Sequence, residues 1–161
     1  MILTTLCYIE REGRYLMLHR TKKKQDINAG KWIGVGGKLE QDESPDDCII
    51  REVWEETGLR LKNLRMRGVI TFILPENEIS FLYTAEAEGE VQKDCNEGEL
   101  QWIPISDIDR LELWPGDRIF LPLLKSENAF FSLKLTYKND RLVACALNGD
   151  DITNQTLGEN A

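Results

Sequence analysis

Histidine is almost missing from this chain of 161 residues, which carries His19 alone. That excludes metal centres built from several imidazoles and argues against a Ser-His-Asp triad. The setting of His19, between Leu18 and Arg20, reads as a strand end, where a structural or pocket-edge role is expected rather than that of a catalytic base. Cysteine offers a metal little more. Cys7, Cys48, Cys95 and Cys145 are widely spaced and form no Cys-x-x-Cys pair, which argues against a zinc site and for reduced thiols in a cytoplasmic setting. No apolar run approaches the length of a membrane span, and Met1-Ile2-Leu3-Thr4 lacks the charged opening of a signal peptide, so no membrane partner is expected. Positive charge is scarce too: 20 Lys and Arg against 28 Asp and Glu leave a net charge of −8. Such a chain repels polymeric nucleic acid, yet a small polyphosphate can bind where a divalent cation bridges it to carboxylates.

What is present reads as one mixed α/β domain over residues 1–148, followed by a polar tail, 149–161, expected to fray. Apolar, β-rich runs at 2–9 and 15–20 flank the turn signal Glu12-Gly13 and predict an opening hairpin. Thr21 to Lys31 is polar and basic, with Lys22, Lys23 and Lys24, and reads as a solvated loop able to guide anions. A helix is predicted next, with Ser44 at its N-cap, Pro45 at the first turn, Asp46 and Asp47 complementing the dipole, and Gly58 beyond its end. On it Ile49, Ile50 and Val53 are expected to face the core. Further strands are predicted at 64–74, 79–88 and 100–103, then a turn capped by Ser106. A second helix over 116–124 contains Pro122, and a closing hairpin is predicted at 130–137 and 141–147.

The densest chemistry lies at residues 37–59. Glu52, Glu55 and Glu56 fall at i, i+3 and i+4, so a helix stacks them on one side, where they repel one another unless a cation sits among them. Oxygen donors with no His or Cys nearby suit Mg²⁺ or Mn²⁺. A charge run is by default a solvated helix face. Here, however, the whole segment, Gly37-x5-Glu43-x7-Arg51-Glu52-Val53-x-Glu55-Glu56-x-Gly58-Leu59, resembles the signature of the Nudix hydrolases at every specified position. A chance match has odds of about 10⁻⁹ per window.

The resemblance implies an α/β/α sandwich with a mixed β-sheet and a Mg²⁺- (or Mn²⁺-) dependent hydrolysis of phosphoanhydrides. It implies Glu52, Glu55 and Glu56 as metal ligands, joined by the Gly36 carbonyl and by a loop acid, Glu97 in preference to Glu99. Arg51 is then a positioning residue, and Glu43 a structural or outer-shell acid. Trp32-x-Gly34-x-Gly36-Gly37-Lys38 and Trp114-Pro115-x-Asp117 are similar to segments of MutT-like enzymes that hydrolyse oxidised purine nucleoside triphosphates. That likeness makes Trp32, Trp114 and Asp117 candidate substrate-binding residues, to which Phe72, in the strand after the helix, and Arg20 are added. It points to 8-oxo-dGTP cleavage to monophosphate and pyrophosphate, with nucleotide-pool sanitation linked to DNA repair as its role. Ile33 stands where the mammalian pattern has Asn, and Gly116 where it has a first Asp. The alternatives are another nucleoside diphosphate-linked substrate, such as ADP-ribose or a dinucleoside polyphosphate, or a nucleotide-sensing module without turnover. A monomer or homodimer is expected.

Overall fold

A computed structural model describes residues 1–21, 28–92, 95, 97–125 and 129–158. β1 (Ile2–Arg11) and β2 (Arg14–His19) form the opening hairpin, and both turn residues, Glu12 and Gly13, have positive φ, as a tight two-residue connection needs. β6 (Glu99–Pro104) and the short β3 (Trp32–Ile33) pair with β2. The larger sheet runs β1–β5–β4–β7–β8–β9, where β4 is Arg60–Ile73, β5 Glu78–Glu88, β7 Phe131–Lys138, β8 Arg141–Leu147 and β9 Asp150–Asp151. Its β1–β5 and β4–β7 pairs are parallel and the others antiparallel, which makes the sheet mixed.

Strand alternation divides the core in two. Cys7 and Ile9 of β1 and Tyr83 and Ala85 of β5 pack with Ile49 and Val53 of α1 (Pro45–Thr57). Tyr8 and Leu82, one residue out of phase, pack with Phe120 and Leu121 of α2 (Asp117–Leu123). One helix therefore covers each face, giving the α/β/α sandwich. All four cysteines are buried and free. Among the described residues no helix is long and apolar enough to cross a membrane.

α1 is bounded as its sequence dictates. Ser44 and Asp47 form a reciprocal capping box, Pro45 occupies the first turn, and Gly58 closes the helix at φ 76°. Ile50 departs from expectation: it is 51% exposed, because it lies about 100° around the helix from Ile49, off the stripe that Ile49 and Val53 define. Ser106 also departs, since it falls inside a 3₁₀ turn (Ile105–Arg110) whose N-cap is Pro104. Pro122 is tolerated because it sits in the last turn of α2, where Leu124 and Lys125 already bond three residues back.

The C-terminal stretch expected to fray is ordered up to Gly158. β9 pairs with β8, and α3 (Thr153–Leu157) follows, tied down by the Ile152 N–H donating to the Cys145 carbonyl at 3.0 Å. Two apolar anchors, Ile152 and Leu157, pack on the α2-side core from an otherwise polar sequence. Residues 159–161 and Lys22, Lys23 and Lys24 lie outside the described residues.

Ser44→Ala removes the acceptor for the Asp47 N–H and is expected to lower unfolding free energy by about 1 kcal/mol, read from urea denaturation. Gly58→Ala forces a Cβ into a left-handed residue already crowded by Gln92, and is expected to cost about 1–2 kcal/mol.

Candidate active site

The site begins where residues 35–38 lie antiparallel along β1. Val35 and Cys7 exchange backbone hydrogen bonds (2.7 and 3.0 Å), and the Thr5 N–H donates to the Gly37 carbonyl at 2.8 Å. Gly36, between them, therefore turns its own carbonyl away from β1. Glycine is required at Gly36, where a Cβ overlaps the Thr5 backbone; at Gly37 a Cβ, 2.5 Å from Glu52 Oε1, would push the Glu52 carboxylate aside. The absent side chains let the loop pack directly on β1 and on α1.

On α1 the acids separate into two stripes. Arg51 and Glu55, at i and i+4, share the outer one, and Glu52 and Glu56 share the inner one. Arg51 holds Glu43 in a bidentate contact (2.7 and 2.9 Å). It also donates to Glu52 Oε1 at 2.8 Å, to Glu55 Oε2 at 3.2 Å and to the Lys38 carbonyl at 3.1 Å. The guanidinium holds the Glu43 carboxyl down to about 2, with help from the Glu40 N–H. Arg51 thus sits among carboxylates as a positioning group. Glu55, grouped with Glu52 and Glu56 by sequence, is 56% exposed, turned onto Arg51 and outside the cavity lining.

Glu52 and Glu56 face a cavity of about 820 Å³, together with Glu97, Arg20 and Gly36. Glu97 reaches in from the turn before β6 and pairs with Arg20 at 2.8 Å, whereas Glu99 is an exposed strand residue. Burial, then the nearby Glu97 carboxyl, pushes the Glu56 carboxyl far above its ordinary range, and its Oε2 is buried with no hydrogen-bond partner among the described residues. Burial also raises Glu52, against the opposing effect of Arg51. Among the described residues no three potential ligands yet converge on one point; Glu52 is drawn to Arg51 and Glu97 to Arg20. An orphaned buried carboxylate oxygen among all-oxygen donors nevertheless fits a hard divalent cation.

The far end of the cavity is aromatic. Phe72, Trp114 and Tyr137 line it. Trp114 is fixed by donating Nε1–H to Asn28 Oδ1 at 2.7 Å, by an edge contact with Tyr137 at 5.5 Å, and by Lys31 Nζ 5.3 Å above its ring. Asp117 opens α2 here, 5% exposed, and its carboxyl accepts no hydrogen bond from a described residue. Burial pushes its pKa to about 8. Gly116 has no room for a side chain: a Cβ lies 2.7 Å from the Tyr137 hydroxyl, which accepts the Gly116 N–H at 2.9 Å.

Trp32 is not a wall of this cavity. Its neighbours Ile33 and Gly34 line it, while the indole stacks on His19 at 4.4 Å with the rings 2° from parallel. The alternation of β3 turns adjacent side chains to opposite faces, so Trp32 and Ile33 cannot both look inward. Asn28, Tyr137 and Glu78 also line the cavity and were missed from sequence. Glu78 and Ser80 left one trace, as polar residues at positions of β5 in phase with buried Leu82.

The chain matches the NUDIX domain family over residues 2–124. It is 31% identical over 140 residues to an uncharacterised Nudix hydrolase of Bacillus subtilis, covering 83% of this chain and 85% of that protein. An oxidized purine nucleoside triphosphate hydrolase of Mus musculus is 32% identical over 111 residues, covering 67% and 71%. The crystal structure of a mutator MutT protein from Bacillus halodurans superposes with a TM-score of 0.83 at 25% identity, covering 93% of this chain and 99% of that one. With the box, the sandwich and these relatives in agreement, the chain belongs to the Nudix family and is a MutT-like Nudix hydrolase.

Proposed function

We propose that this hydrolase cleaves purine nucleoside triphosphates, oxidised ones such as 8-oxo-dGTP among them, releasing monophosphate and pyrophosphate. One observation carries the reading: a single cavity joins the carboxylates that fit a cation to aromatic walls holding a desolvated acid, Asp117. The oxidized purine nucleoside triphosphate hydrolase among the relatives supports the same substrate class.

Glu52, Glu56, Glu97 and the Gly36 carbonyl are the groups that would hold Mg²⁺ (or Mn²⁺). When bound, the cation supplies neutralising charge to the polyphosphate and acidity to a water. The chain does the rest by position. Arg51 holds Glu52 through its Oε1 at the edge of the cavity. Arg20, beside Glu97 in the cavity wall, supplies positive charge toward the phosphates. Phe72 and Trp114 give a purine ring two apolar surfaces, and Asp117 meets its hydrogen-bonding edge in a dry environment, where a mismatched base leaves a buried group unpaired.

Hydrolysis of 8-oxo-dGTP, dGTP, ATP and ADP-ribose with Mg²⁺ is expected to show pyrophosphate released from a purine triphosphate at the highest kcat/KM. Cleavage of ADP-ribose alone into two monophosphates overturns the reading. Glu56→Gln is expected to lower kcat by roughly 10²–10⁴-fold in that assay.

Asp117 also makes a stability prediction. Its folded pKa of about 8 lies above its ordinary 3.8, so between those values the folded chain binds more protons than the unfolded one. Stability therefore falls as pH rises through that window and levels off above it. Asp117→Asn lacks this term. Its advantage in unfolding free energy over the natural chain, read from urea denaturation, is expected to grow across the window, reaching a few kcal/mol, while kcat/KM for purine triphosphates falls. A stability difference that does not change with pH contradicts the assigned burial.

A further inference from the structure

On the α2 side of the sheet, strand register sets the cavity floor in rows. Glu78 of β5 lies between Ile2 of β1 and Phe72 of β4, and Ser80 lies between Thr4 and Ile70. Ile2, Thr4, Phe72, Glu78 and Ser80 all line the cavity. Glu78 is thus an acid set into the floor directly beside an aromatic wall. Its Oε2 accepts the Thr4 hydroxyl at 3.0 Å, whereas its Oε1 accepts nothing from a described residue. The Ser80 side chain, 2% exposed, likewise makes no hydrogen bond to a described residue. Burial raises the Glu78 pKa against the opposing effects of Thr4 and Lys38, so the fold bears a desolvation cost at this position. An apolar residue here would continue the floor made by Ile2 and Phe72. The Thr4 hydroxyl and the Lys38 charge offset only part of that cost, since the net effect still raises the pKa.

We propose that Glu78 is a second base-reading residue, whose Oε1 accepts an N–H from the edge of the purine not read by Asp117. This rests on the purine triphosphate reading above. A ring held between Phe72 and Trp114 brings one edge to Asp117, while Glu78, flanking Phe72, stands at another edge. Two acceptors at two edges suit a base with donors on both. Guanine has N1–H and an exocyclic amine on one edge, but on the other N7 is a lone pair that opposes a carboxylate oxygen. 8-Oxoguanine carries N7–H there and is matched. Glu78 therefore selects for the oxidised base.

The test is kcat/KM for 8-oxo-dGTP, dGTP, 8-oxo-GTP and GTP with the natural chain, Glu78→Gln and Glu78→Ala. Glu78→Gln keeps the size and the Thr4 hydrogen bond, and its amide accepts from N7–H or donates to N7. The oxidised-to-unoxidised ratio is expected to fall roughly 10- to 100-fold, with the ribo-to-deoxy ratio unchanged. Glu78→Ala is expected to lower the same ratio by weakening turnover of the 8-oxo substrates alone, and serves if the glutamine variant is unstable. An unaltered oxidised-to-unoxidised ratio, or a change confined to the ribo-to-deoxy ratio, overturns the assignment of Glu78 and leaves the triphosphate reading standing. A natural chain that releases no pyrophosphate from any of the four overturns that reading, and this inference with it.

Discussion

Acids of like charge have to be gathered before a site of this kind can exist, and the Arg51 guanidinium gathers them. Its donors are spread over Glu43, Glu52, Glu55 and the Lys38 carbonyl, so one planar cation ties the loop after Gly37 to the middle of α1. A lysine at this position carries the charge without the fork and cannot hold Glu43 through two parallel bonds. The guanidinium leaves one acid out. Glu56, a turn beyond Glu52 on the inner stripe, is buried with a bare oxygen beside Glu97. Under the proposed reading, that residual imbalance is what a divalent cation would relieve.

The same exchange of stability for chemistry recurs along the cavity. Glu56 marks the end toward α1, Asp117 the end under α2, and Glu78 the floor beside Phe72; burial raises the pKa of all three. Apolar residues at such positions commonly make a protein more stable, which makes buried acids poor devices for holding a fold together. Their separation is set by rigid parts. β1 contributes to both cores, carries residues 35–38 along one edge and β5 along the other, and so fixes the α1 acids relative to the floor.

Local features were legible in the sequence because their causes are local. The capping box at Ser44, the stop at Gly58 and the spacing of Glu52 and Glu56 need only neighbours within a few turns. Glu55 and Ile50 show the limit of such reading: spacing alone groups each with a face that the helix, at 3.6 residues per turn, carries it away from. Trp32 shows the equivalent limit in a strand, where one residue of phase decides between the cavity and His19. Tyr137 lies beyond local inference altogether, since the β4–β7 pairing brings it to Phe72 from a distant segment, whereas Glu78, opposite Phe72 in the β4–β5 pair, shows only as a polar residue in phase with buried Leu82. The ordered C-terminal turn was hidden by composition, because Ile152 and Leu157 are too few to raise an apolar signal although each finds the core.

Gly116 illustrates how tertiary structure reinterprets a departure from a family pattern. By sequence, glycine in place of a first Asp removes an acceptor from the base pocket. In space, that position is taken by a Leu135 methyl and by the Tyr137 hydroxyl, which accepts the Gly116 N–H at 2.9 Å, so a Cβ would meet both. A hydroxyl that accepts from the backbone still has its own proton to give. The pocket around Asp117 therefore offers a carboxyl acceptor and a phenolic donor side by side, rather than two acids that must share a proton to coexist. Under the proposed reading, a purine edge that alternates carbonyl and N–H meets both partners with a single acid. The cavity thereby keeps its second carboxyl, Glu78, for a different edge of the ring.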